Sequence, residues 1–122
     1  MLIDWNALPG MPGMRGGSRR KGICGEKMSA LRIELAPDAV FDGKTHWHDN
    51  EQMLVVVTGR VTLVIDGKDF EAGPGDLVFF PAGSRHAAIG TGPDGCTYYE
   101  LFAPARPDQL PGWVGPGLLR FD

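Results

Sequence analysis

Histidine is nearly missing from this chain of 122 residues, and the three present, His46, His48 and His86, fall in two short stretches. That confinement points to a site, because histidine is the commonest metal ligand and the usual acid–base group near neutral pH. Cysteine is scarcer still. Cys24 and Cys96 lie far apart and outside any CxxC spacing, which argues against a disulfide framework or a thiolate cluster and leaves reduced, partly buried thiols as the default. Excess charge of either sign is absent. Twelve Lys and Arg against fifteen Asp and Glu give a net charge of −3, which argues against a nucleic-acid partner. The one basic cluster, Arg15, Arg19, Arg20 and Lys21, reads as a solvated strand start more readily than as a phosphate patch. Long apolar runs are lacking too. The longest strongly apolar stretch, Met53 to Val57, is too short to span a bilayer, and residues 1–20 hold no segment fit for a signal peptide. The expectation is a cytoplasmic protein with no membrane partner. No segment keeps a helical period over three turns.

Glycine and proline are abundant, at 18 and 10 residues. They separate short apolar runs at regular spacing, the pattern of an all-β chain. Met28 to Leu35 alternates, with Leu31, Ile33 and Leu35 on one face. Gln52 to Thr58 is nearly continuous hydrophobe, so both its faces are expected to be buried. Gly59 is expected to close a hairpin, and Arg60 to Ile65 alternates again. Asp66-Gly67 is a two-residue hairpin signal. Asp76 to Phe80, His86 to Ile89 and Cys96 to Phe102 read as further strands. The length suits one domain, residues 1–122. Its barrel body spans about 28–102, with an extended arm over 1–17 and a wrapping tail over 103–122. Many short antiparallel strands close most economically as a double-sheet jelly roll.

The chemistry gathers in two segments. His46 and His48 are two apart, so in a strand both imidazoles share one face. Gln52 follows after three intervening residues. In the second segment, Gly75 to His86, Pro81 and Gly83 supply a tight turn that can bring His86 opposite the first pair. Three neutral imidazoles converging inside a barrel suit Zn, Ni, Cu or Fe(II). The alternative is three hydrogen-bonded, non-ligating histidines, which would win for a lone histidine but not for three at these spacings. Glu51 and Gln52 cannot both face the site without a bulge, and Gln52 could also stand beside a metal without binding it. Trp47 should point outward and pack. In the last strand Cys96, Tyr98, Glu100 and Phe102 share a face. If that face is inward, Glu100 sits at the site as a general acid–base group, Tyr98 and Phe102 line the pocket, and Arg106 reaches over its mouth to fork a carboxylate. The competing reading exposes Glu100 and pairs Arg106 with Asp108 or solvent.

These motifs resemble those of the cupin superfamily. Its first motif is HxH, three or four residues, Glu, six residues and Gly; here it runs from His46 to Gly59. Its second is Gly, five residues, PxG, two residues and His; here it runs from Gly75 to His86. Gln52 replaces the metal-binding Glu, Gly90 stands where an Asn is frequent, and Val40 stands where the first motif's leading glycine belongs. The ending Glu100-Leu101-Phe102-Ala103-Pro104-Ala105-Arg106, together with Pro12-Gly13-Met14-Arg15, is similar to the KdgF-type small cupins of uronate metabolism. Those proteins convert 4,5-unsaturated monouronates to linear keto acids. The resemblance implies an all-β cupin double-stranded β-helix with one divalent transition metal (Ni, Zn, Fe, Mn or Cu) on His46, His48, Gln52 and His86. It also implies an acid, a phenylalanine and an arginine at Glu100, Phe102 and Arg106. The acid in that family is Asp, so Glu100 extends the carboxyl by one methylene.

A neutral Gln in place of Glu leaves the site one unit more positive, which favours an anionic ligand and Lewis-acid chemistry. The leading expectation is therefore a metal-dependent enzyme that isomerises or ketonises a sugar acid or similar small anion. An Fe(II) dioxygenase, a polyketide-cyclase-type cupin and a non-enzymatic ligand-binding module are the alternatives. The apolar strand at 52–58, the arm and the tail favour a homodimer.

Overall fold

A computed structural model describes residues 1–122. Its strands are β1 (Met11–Pro12), β2 (Ser18–Cys24), β3 (Ser29–Leu35), β4 (Glu51–Ile65), β5 (Lys68–Ala72), β6 (Leu77–Phe80) and β7 (His86–Ala103). Two single 3-10 turns, Trp5–Ala7 and Pro107–Gln109, lie in the arm and the tail. The chain contains no helix long and apolar enough to cross a membrane.

All pairings are antiparallel, in the order β1-β2-β3-β7-β4-β5, with β6 also on β4. The two long strands, β4 and β7, serve both layers of the jelly roll. The first half of β4 lies between β6 and the second half of β7, while its second half lies between β5 and the first half of β7. Register slips at Val56/Thr58, Gly59/Val61 and Thr62/Leu63 let the pair bend from one layer into the other.

The alternation read in β3 holds: Leu31, Ile33 and Leu35 are buried and Glu34 is exposed. Together with Leu54, Val56, Leu63 and Phe80 they fill the space between the layers. Each such side chain contributes about 1.5–3 kcal/mol by leaving water. The Asp66-Gly67 turn joins β4 to β5, and both residues take positive φ, 47° and 80°, as a two-residue hairpin turn requires.

Several expectations change. Gly59 closes no hairpin; it sits inside β4 at φ 77°. A Cβ there would collide with the Gly95 carbonyl, so the glycine admits a backbone crossing where the long strands bend. The segments 52–58 and 60–65 are consequently one strand, and 86–89 and 96–102 are likewise joined in β7. Lastly, only one face of 52–58 is buried within the chain. Gln52, Leu54 and Val56 point inward, while Met53 and Val57 are 41% and 40% exposed. The sheet also reaches further back than Met28, since β2 pairs along its whole length with β3.

Candidate metal and acid site

The segment carrying His46 and His48 is not a regular strand. It is held by isolated bridges, His46 to His86 and Trp47 to Arg120. His46 and His86 exchange two backbone hydrogen bonds of 3.0 Å, so the first motif is stitched directly onto the start of β7. The turn at Pro81–Gly83 closes the arrangement, because the Gly83 N–H donates to the His48 carbonyl at 2.9 Å. These contacts bring the imidazoles of His46 and His48 to centroid distances of 4.7 Å and 5.0 Å from that of His86. Trp47 points the other way, as its parity demands. The guanidinium of Arg85 lies over its ring at 4.5 Å and that of Arg120 at 4.9 Å, so the chain's own tail covers it.

The histidine nitrogens are oriented one by one. The His86 Nδ1 lies 2.9 Å from the Ser84 carbonyl and that of His48 lies 3.1 Å from the Asn50 carbonyl. A carbonyl only accepts, so the His86 Nδ1 carries the proton and its Nε2 presents a lone pair. His86 Nε2 is buried with no partner, as is His46 Nδ1. His48 Nε2 faces the Gln52 Oε1 at 3.1 Å, and the Gln52 amide is fixed in that sense because its Nε2 donates to Glu100. Both His48 nitrogens thus face acceptor oxygens, and a neutral ring can donate to only one of them. Protonating His48 would relieve this, but burial, then Arg106, lowers its pKa. Burial and the neighbouring imidazoles likewise bring His46 down to about 3 and His86 to about 4. The histidines are neutral at neutral pH, so each ring offers a lone pair. That donor set, three imidazoles and an amide oxygen, fits a divalent transition metal. The backbone carbonyls behind two of the rings are the usual orienting partners of ligating histidines. In this arrangement no three His, Cys, Asp or Glu side chains are closed into a ligand set.

The register of β4 with β7 decides the second constellation, which parity left open. Gln52 pairs with Phe102, and Leu54 with Glu100; both rows point inward. Gln52 is 4% exposed and Phe102 2%, whereas Glu51 faces solvent. Glu100 lines a cavity of about 80 Å³ together with His46, His86, Tyr98, Phe102 and Arg106, space for several waters or a small ligand portion. Burial pushes the Glu100 carboxyl up to about 7, against the pull of Arg106 and Arg20, so near neutrality it exists in both protonation states. Phe80 also lines the cavity, with its ring 4.8 Å from that of His86. Arg106 reaches the cavity, but Asp108 accepts from its Nη2 at 2.8 Å and from its Nε at 3.3 Å.

Sequence reasoning missed three groups here. Asn50 and Ser84 orient histidines through backbone carbonyls, which no side-chain pattern reveals. Arg15, on the arm, lines the cavity and pairs with Asp42 at 2.9 Å. Arg20 also lines it, although the basic cluster containing it reads as solvated. Its alternation with Ser18 was a usable signal, but the register tying Arg20 to the inward Ile33 is set by tertiary pairing.

Fold and site together define a jelly-roll barrel with histidines and an acid gathered in its interior. The Cupin_2 family, described as Cupin domain, matches residues 31–102, and the chain belongs to it. Among solved structures it is similar to an RmlC-like cupin from Shewanella frigidimarina, with 26% identity, 87% of this chain and 92% of that one covered, and a TM-score of 0.74. It is similar to KdgF from Halomonas sp., with 28% identity, 80% and 88% covered, and a TM-score of 0.70. The likeness to oxalate decarboxylase from Bacillus subtilis, at 20% identity and a TM-score of 0.69, covers 84% of this chain but 28% of that one and concerns the fold alone. No curated protein matches the chain in sequence.

Proposed function

We propose that this protein is a small metal-dependent enzyme that isomerises an anionic sugar acid, with a 4,5-unsaturated monouronate as the substrate class. The observation that carries this reading is Glu100, a half-buried carboxyl hydrogen-bonded to Gln52 in a cavity where His46 and His86 keep unpartnered nitrogens. The similarity to KdgF from Halomonas sp. supports the same choice. His46, His48, Gln52 and His86 would hold one divalent transition metal, which when bound supplies Lewis acidity toward a substrate oxygen.

Ketonisation of such a sugar moves one proton. The anomeric hydroxyl loses its proton as the bond from the anomeric carbon to the ring oxygen breaks, leaving an aldehyde and an enolate. The enolate carbon C4 gains a proton, and C5 becomes a ketone. One carboxyl that accepts and then returns a proton suffices, and Glu100 has that role. The Gln52 amide holds the Glu100 carboxylate in place by donating to it, and Phe102 and Tyr98 wall the pocket beside it. The test is loss of ultraviolet absorbance by unsaturated galacturonate incubated with metal-loaded protein. A rate well above the uncatalysed one is expected; turnover equal to background with metal fully loaded would remove this substrate class. Oxygen consumption by Fe(II)-loaded protein would point instead to a dioxygenase.

A further inference from the structure

Three arginines line the cavity, Arg15, Arg20 and Arg106. Two of them are already engaged. Arg15 donates from Nη1 to Asp42 at 2.9 Å and from Nη2 to the Lys44 carbonyl at 3.1 Å. Arg106 donates to Asp108 from Nε and Nη2. The Gln109 amide oxygen, in its hydrogen-bonding orientation, accepts from the Arg106 Nη1 at 2.8 Å and Nη2 at 3.1 Å. The Arg106 and Asp108 side chains are only 2% and 4% exposed, so this ion pair is sealed and electrically neutral as a unit. Arg20 has no counterpart to these contacts. Its Nε is buried without an acceptor, and its guanidinium enters no hydrogen bond or ion pair.

The direction of Arg20 follows from register. It stands opposite Ile33 in β3, which stands opposite Tyr98 in β7. Directly paired residues project to the same side of a sheet, and Ile33 and Tyr98 are both buried. Arg20 therefore projects inward. Its head lies within the electrostatic field of Arg106, Asp108 and Glu100, and burial followed by Arg106 lowers its pKa. A guanidinium with a desolvated, unpaired donor is costly to fold around. A planar fork of donors is also the group best matched to a carboxylate.

We propose that Arg20 binds the carboxylate of the substrate, while Arg106, already neutralised by Asp108, is a positioning residue that shapes the pocket wall. This rests on the reading of the site as one for an anionic sugar acid, and it moves the anion-binding role from Arg106 to Arg20. The ligand's carboxylate completes the charge balance that the fold leaves open on β2.

Calorimetric titration of metal-loaded protein with D-galacturonate and with the neutral sugar D-galactose tests this, with metal content and melting temperature measured on each variant. The wild type should prefer the acid by roughly tenfold to a hundredfold, the range of a charge-assisted hydrogen-bonded pair. Arg20→Gln should abolish that preference without lowering the melting temperature, because it removes a charge the fold leaves unpaired. Arg20→Lys should keep part of the preference. Arg106→Gln should melt lower, with Asp108 stranded, yet still prefer the acid. Retention of the full preference in Arg20→Gln, or its loss in Arg106→Gln alone, overturns the assignment and leaves the anionic-substrate reading standing. A wild type that binds both sugars equally overturns that reading and this assignment with it.

Discussion

At the scale of single residues, the site is a set of hydrogen-bond choices rather than a set of charges. His86 and His48 each spend one nitrogen on a backbone carbonyl, and the Gln52 amide is turned by Glu100 so that its oxygen joins the imidazole lone pairs. Stoichiometric Zn or Ni should therefore stabilise the fold. With free metal at about 100 times its dissociation constant the gain is about 2.7 kcal/mol, read as a rise in melting temperature that a chelator reverses. His86→Ala should lose both that rise and the metal found by elemental analysis. Glu100→Gln should retain metal but lower kcat for unsaturated galacturonate by about 10²–10⁴, the usual contribution of a positioned acid–base group. Asp108 supplies the structural counterpart. Burial raises its pKa, but hydrogen bonds from Arg106 and the Leu118 N–H overcome this and hold it below its ordinary value. A carboxylate with a lowered folded pKa stabilises the protein above its unfolded pKa of about 4, and this is lost as pH falls through the folded value. Asp108→Ala should flatten that acid limb in urea titrations. At neutral pH it should cost about 3–5 kcal/mol by leaving Arg106 buried without its partner.

At the scale of elements, the bend in the β4–β7 pair decides the architecture. Each of these strands spans both layers, and the crossing depends on Gly59 and Gly95, at φ 77° and 70°, with almost no space between their backbones. Gly59→Ala should therefore destabilise by about 1–3 kcal/mol or more in urea unfolding, combining left-handed strain with a collision. Gly43→Ala is the control. Gly43 has a similar φ of 75° but open space around it, so it should cost about 1 kcal/mol. The alternating strands and the Asp66-Gly67 hairpin were legible in the sequence because period and turn chemistry are local. The fusion of two apparent strands into one was not. A glycine at a turn and a glycine at a bend look alike until the partner backbone is known.

At the scale of the whole molecule, the outer face of the β6–β4–β7 layer stands out. Met53 is paired with Phe79 and Val55 with Leu77, and Met53, Val57, Leu77 and Phe79 are 41%, 40%, 61% and 44% exposed. An apolar patch of this kind on a sheet face usually marks an interaction surface. The homodimer expected from the apolar strand at 52–58 would bury this face. Light scattering should give the mass of a dimer, and Phe79→Glu should give a monomer with an unchanged β signature by circular dichroism. A monomeric wild type at working concentration would refute the dimer.

What the sequence determined alone was whatever depends on spacing and parity. Two-residue periodicity put Gln52 and Glu51 on opposite faces, set Trp47 opposite the histidines and gave Glu100 the face of Tyr98 and Phe102, and the separations from His46 to Gly59 and from Gly75 to His86 specified the family. Tertiary structure decided whatever depends on register and on which partner arrives first. It placed Arg20 opposite Ile33 and so inside the barrel, and it gave Arg106 to Asp108. It also turned the Gln52 oxygen toward His48. Parity says which side of a strand a group occupies, but a hydrogen bond or ion pair forms only with what the neighbouring strand and tail bring within about 3 Å. That proximity is a property of the folded chain.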